Sequence, residues 1–237
     1  MALPKIDYPT YNITIPGNKK PYPFRPMLVK EEKLLLMAKV SEDETDILQA
    51  IKQVVTNCSL DSTLDVDKLS LYELEYLFIR IRGSSIGDII KVSYRDLEDE
   101  KSYEFEVDLK KIEVKFPETD SSKIQITPTS GLIMKYPAAS IYDDKTFLQA
   151  EGEETFYRLV VRCIDQIYDA DNVYEGKDFE EDAVLEFLEL MDIPSFEKVR
   201  EFMLNLPTLY YKIEYKNSLG NDRSIELKTL SDFFTLR

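Results

Sequence analysis

Leu69–Asp88, LSLYELEYLFIRIRGSSIGD, decides how the rest of the chain is read. Ser70 followed three residues on by Glu73 is a capping box, which satisfies two orphan amides at a helix start reciprocally. Leu71, Leu74, Leu77, Phe78 and Ile81 then recur at helical spacing and form one apolar stripe. Gly83 is expected to stop this helix, and Gly87 leads into a β-patterned run. The stretch therefore joins a buried helix to a hairpin, and the fold class it points to is α+β.

Downstream, Ile89–Tyr94 and Tyr103–Leu109 alternate as strands around the charged turn RDLEDEK, which places the hairpin tip in water. A second pair, Ile124–Thr127 and Leu132–Tyr136, follows around PTSG. Phe156, Val160, Cys163 and Ile167 begin an amphipathic helix. The acidic stretch DADNVYEGKDFEED (Asp169–Asp182) separates it from another helix marked by Val184, Phe187, Leu188 and Met191. Pro194 fits the first turn of a further helix, and Tyr210–Lys216 with Ser224–Lys228 make strands around NSLGNDR.

Upstream, Tyr11–Ile15 reads as a strand and Gly17-Asn18 as a turn. The return run PYPFRPM carries three prolines and fits only an edge strand or extended arm. Helices are expected over Leu28–Lys39 and, behind a Ser41/Glu44 capping box, along Ile47, Ile51, Val54, Val55 and Cys58. Helix, acidic linker, helix and hairpin recur once, with KVSY (Lys91–Tyr94) matched by KIEY (Lys212–Tyr215). This order suggests two lobes, residues 1–137 and 138–237, with duplication and coincidence both open.

With 45 acidic against 30 basic residues, the net charge of −15 argues against nucleic-acid binding and against docking on anionic membranes. A protein partner remains. MALPKIDYPT lacks a basic region followed by an apolar run, and no apolar run approaches the ~20 residues of a membrane span, so a cytoplasmic protein is expected by default. Cys58 and Cys163 stand far apart on helix faces and read as small buried hydrophobes.

The chain has no histidine. That removes Ser-His-Asp and Cys-His arrangements and the commonest general base. Gly83–Gly87 has neither Rossmann nor Walker spacing, and no CxxC pair frames a zinc site. Asp61, Asp65 and Asp67 lack EF-hand order. In the loop starting at Asp169, Val173 and Tyr174 stand where an oxygen ligand and a glycine are needed. Neither an enzyme, a cofactor, a metal nor a small-molecule substrate is expected. Arg80 and Arg82 suit the negative end of a helix dipole, or the anchoring of an acidic partner loop. Tyr8, Tyr11, Tyr22, Phe24 and Arg25 in the Pro-rich arm, with Phe233 and Phe234 near the other end, are the candidate partner contacts.

PYPFRPMLVKEEKLLLMAK (Pro21–Lys39), the opening stretch, LIMKYP (Leu132–Pro137) and LKTLSDFF (Leu227–Phe234) together resemble the T4-type phage baseplate protein family. That family includes a baseplate hub subunit and a hub-assembly factor of contractile-tailed phages, and the resemblance extends over most of the chain. It implies a structural role in the tail baseplate, through contacts with other tail proteins and with assembly in the host cytoplasm. The alternative is a chaperone for hub or tape-measure proteins that is absent from the virion. Some members of the family carry cysteine pairs at their hairpin tips, as in a zinc ribbon. RDLEDEK and NSLGNDR carry none, so register here must come from packing and turn chemistry.

Overall fold

The structure, a computed structural model, describes residues 6–18, 20–41, 44–143, 147 and 152–233. It is α+β, with small antiparallel sheets and seven helices among the described residues. The chain forms two compact units, residues 1–115 with 208–237, and residues 116–207. The 137/138 boundary read from the sequence falls inside the second of these.

The first unit is built on α3 (Leu71–Ile86). Its capping box is present, with Glu73 Oε2 accepting from the Ser70 amide at 2.7 Å. Leu74, Leu77, Phe78, Ile79 and Ile81 are essentially inaccessible to solvent. Tyr72, Tyr76 and Arg82 are buried as well, so α3 is covered on most of its circumference, as a central helix must be. Each buried Leu or Ile contributes about 1.5–3 kcal/mol.

The helix does not stop at Gly83. It continues to Ile86, and Gly87, at φ +138°, ends it. Gly83 serves close approach instead, since a Cβ there would lie 3.7 Å from Leu109 and 3.1 Å from Asp88 Oδ1. The extension also moves Arg80 and Arg82 out of the last turn, so the dipole does not explain them. Arg80 donates to the Leu109 carbonyl at 3.2 Å and stacks on Tyr76.

α2 (Glu44–Cys58) packs on α3, α1 (Val29–Ser41) packs on α2, and the short α7 (Leu230–Phe233) lies against the strand that follows α3. The side chain of Glu44, on which the expected second capping box depends, lies outside the described residues. β1 (Tyr11–Thr14) and β2 (Pro21–Phe24) form a hairpin, with the turn at Gly17 in the left-handed region. Ile13, Ile15 and Phe24 are buried, and residues 6–10 carry no regular structure.

β3 (Ile89–Arg95) pairs with β4 (Ser102–Asp108), and β10 (Thr208–Lys216) lies between β11 (Asp222–Leu227) and β5 (Glu113–Lys115). Thr208 is registered against Lys115, so the two segments of the first unit meet at paired positions.

The β3–β4 tip is not simply in water. It is clasped to the β10–β11 tip. Asn217 Nδ2 and Asn221 Nδ2 donate to the Glu98 carboxylate at 2.6 and 2.7 Å, and the Ser218 amide and hydroxyl donate to Asp99 Oδ2 at 2.9 and 2.8 Å. Asp96, fully buried, accepts from the Tyr215 hydroxyl and faces Arg223 Nε at 3.3 Å. The Tyr215 ring packs 5.1 Å from Tyr103 and 5.0 Å from Phe105. Tip register thus comes from turn hydrogen bonds and aromatic packing.

In the second unit, β6 (Lys123–Gln125), β7 (Gly131–Met134), β8 (Ile164–Tyr168) and β9 (Val173–Glu175) form one antiparallel sheet in that order. Helices α4 (Glu153–Cys163), α5 (Glu181–Glu189) and α6 (Ile193–Leu204) complete it. Leu132, Val160, Cys163, Ile164, Val184 and Val199 anchor its core. Ile167 belongs to a strand and not to the helix expected there. The helix yields at Ile164 because β8 gains ladder partners on both sides. Arg158 and Arg162 bind Glu181 at 2.6 and 3.3 Å and tie α4 to the start of α5.

Candidate functional site

Pro21 and Pro23 have no N–H, so the β1–β2 ladder bonds run through the Tyr11/Phe24 and Ile13/Tyr22 pairs. Asn12 and Thr14 therefore direct their N–H and C=O groups away from β2. The outer side of β2 is already taken. The Leu60 amide donates to Pro23 O, the Arg25 amide donates to Cys58 O, both at 2.9 Å, and Phe24 bridges Ser59. Among the described residues, the outer edge of β1 has no strand partner.

That edge borders a groove of about 560 Å³, lined by Thr10–Thr14, by Tyr76, Ile79, Arg80, Gly83 and Ser84 of α3, and by Asp88, Leu109 and Lys110. Its charged groups are engaged internally. Lys110 pairs with Asp88 at 2.5 Å, which raises the Lys110 pKa, and Arg80 is held by Leu109 O and the Tyr76 ring. What the groove offers is main-chain hydrogen bonding beside a mixed polar and apolar wall, the chemistry of strand addition.

The candidate contact residues separate. Tyr8 (40% accessible) and Tyr11 (36%) are exposed, with Tyr11 on the groove wall. Tyr22 is half-buried, accepting from Asn18 Nδ2 at 3.3 Å with Lys20 over its ring. Phe24 (1%) and Phe233 (2%) fill the interior of their own unit. Phe234 lies outside the described residues.

Arg25 is an internal strut. It donates to Glu31 at 2.9 and 3.3 Å, to Asn57 O at 2.7 Å and to Pro26 O at 2.9 Å. Burial pushes the fully buried Glu31 carboxyl up, but the hydrogen bonds from Arg25 and the Leu28 amide outweigh it and hold the pKa below the ordinary value.

Composition did not reveal the groove. The alternating prolines of β2, which fix the side on which β1 stays open, are the signal that points to it. Catalytic chemistry finds no footing in the thiols. Both are buried and free, and burial raises Cys58 to about 11 and Cys163 to about 12. Among the described residues no helix is long and apolar enough to cross a membrane, and no cluster of carboxylates or thiols is arranged to hold a metal ion.

The family model described as T4 bacteriophage base plate protein matches residues 8–235, nearly the whole chain. Neither the curated proteins nor the solved structures contain a match. The chain belongs to the T4 bacteriophage base plate protein family.

Proposed function

We propose that this protein is a hub or hub-proximal subunit of a contractile-tail baseplate, and that it joins a neighbouring tail protein by accepting an extended segment on the outer edge of β1. The observation that carries this reading is the open Asn12/Thr14 edge beside the α3 groove. Tyr8 and Tyr11 flank the edge as amphipathic contacts, Tyr22 braces the hairpin, and Phe24 and Arg25 hold it from within.

Deleting residues 2–26 would also strip Phe24 and Arg25 from the core, so a point change is the sharper test. Asn12→Pro removes one outward N–H and leaves the Tyr11 and Ile13 bonds to β2 in place. Loss of incorporation into baseplates by a folded Asn12→Pro protein is expected; unchanged incorporation refutes the reading.

The chaperone reading draws on a different observation. α1 exposes Val29 (80%), Leu36, Met37 and Val40 (83%) along one flank, a stripe able to hold a partly folded hub or tape-measure protein. The two readings part at the mature particle, where a structural subunit is retained and a chaperone is absent.

A further inference from the structure

The second unit carries a surface of another kind. Ile167 of β8 meets Val184 and Phe187 of α5 at the floor of an open cleft of about 570 Å³, a size suited to one or two large side chains. Asp169, Asp178 and Glu180 stand on its rim, and no Lys or Arg lines it. Asp169 is fixed, its Oδ1 accepting from the Asp171 and Asn172 amides at 2.8 Å and its Oδ2 from the Tyr174 hydroxyl at 3.3 Å. Asp178 and Glu180 are exposed and have no ion pair among the described residues. Glu181, next in sequence, is neutralised by Arg158 and Arg162 and points to a separate role in tying helices. Lys123 stands over the Tyr168 ring, 5.6 Å from its centroid, but is not among the lining residues.

The rim is built to stay in place. A Cβ on Gly176 would lie 2.5 Å from Ile164 O and 2.9 Å from Asp165 O, so only glycine lets the chain leave β9 this close to β8 and turn toward Asp178. The Tyr168 hydroxyl, from a residue lining the cleft, would lie 2.5 Å from a Cβ on Gly131. The acidic run Asp169–Asp182 is therefore a shaped wall.

We infer that this cleft receives a basic segment of a partner protein, one large aromatic or aliphatic side chain entering between Ile167 and Phe187 with flanking Lys or Arg residues meeting Asp169, Asp178 and Glu180. Charge complementarity selects this occupant. A second copy of a chain with net charge −15 would bring like charge to an acidic rim. β9, whose outer edge is unpaired among the described residues, lies alongside with Val173 and Tyr174 exposed and offers main-chain bonds to the same segment. The surface belongs to the second unit and stands independently of the β1 edge.

The test uses the full-length protein and fluorescein-labelled peptides of sequence GKKFLKKG, its polar-core control GKKSSKKG, and the acidic GEEFLEEG, followed by anisotropy. Binding of the first alone is expected, and it should weaken by about tenfold or more in Ala183→Arg and about threefold in Asp178→Asn/Glu180→Gln. These positions are exposed, so folding is retained and is checked by circular dichroism. Equal binding of the serine control, equal binding to Ala183→Arg, or no binding up to about 1 mM peptide overturns the inference.

Discussion

Breaking the Arg25–Glu31 pair gives the most direct energetic test of how the N-terminal hairpin is held. Glu31 is inaccessible to solvent and Arg25 retains 14% side-chain exposure. Arg25→Ala leaves a carboxylate buried with, among the described residues, the Leu28 amide at 2.9 Å and the exposed Lys30 ammonium at 3.5 Å for company. It also leaves the Asn57 carbonyl without its 2.7 Å donor. Removing one partner of a buried pair costs about 3–5 kcal/mol. The partial exposure of Arg25 favours the lower end, about 3 kcal/mol, or roughly 6–12 °C in Tm for a chain of this size. Replacing both groups, as in Arg25→Met/Glu31→Leu, removes the uncompensated charge and should recover most of that loss. The pH dependence has a definite sign. Because folding depresses the Glu31 pKa, the pair stabilises above the unfolded value of about 4.3 and its contribution is lost as pH falls through the folded value. Urea titrations of wild type, Arg25→Ala, the single variants Arg25→Met and Glu31→Leu, and their double variant at pH 7 and below pH 4 measure all of this. A cost below about 1 kcal/mol for Arg25→Ala, or a double variant no better than the singles, refutes the reasoning.

The hairpin clasp makes a second prediction. Burial, then the neighbouring Asp96 carboxylate, pushes the Tyr215 hydroxyl up to about 12, so it remains a donor at neutral pH. Tyr215→Phe should lower Tm by about 2–6 °C and speed hydrogen exchange at the Leu97–Glu100 and Ser218–Asn221 tips, whereas Lys216→Ala on the exposed flank should do neither. Gly131→Ala would drive a Cβ into the Ile124 carbonyl and the Tyr168 hydroxyl, and should destabilise the second unit by about 1–3 kcal/mol, read by protease sensitivity between residues 116 and 207. Cys58 and Cys163 should resist an aromatic disulfide reagent at pH 8 in the native state and react together on unfolding, since burial holds both thiols protonated.

Much of the fold was legible from spacing alone. The Ser70/Glu73 box, the α3 stripe, the β3–β4 hairpin and Pro194 in the first turn of α6 all rest on local chemistry, and local chemistry decided them. The misreadings arose where distant partners outvote local preference. Gly83 looks like a helix stop, yet its cost of about 1 kcal/mol in a helix interior is accepted so that α3 can close on Leu109. Ile167 continues a helical period, yet β7 and β9 claim it as a strand residue. Burial of Phe24 and Phe233, and the internal pairing of Arg25, have the same origin. A Pro-rich arm looks exposed until Cys58–Leu60 is seen bonded to its outer side. The two candidate surfaces were half legible. The prolines of β2 and the acidic run from Asp169 stand plainly in the sequence, but the groove wall from α3 and the cleft between β8 and α5 form only on folding.

Quantitative mass spectrometry of purified phage particles tests the central claim most directly. A structural baseplate subunit predicts this protein at a fixed ratio to the other baseplate proteins, retained through salt washing. Its absence from infectious particles, with abundance only in infected-cell lysate, would contradict the account.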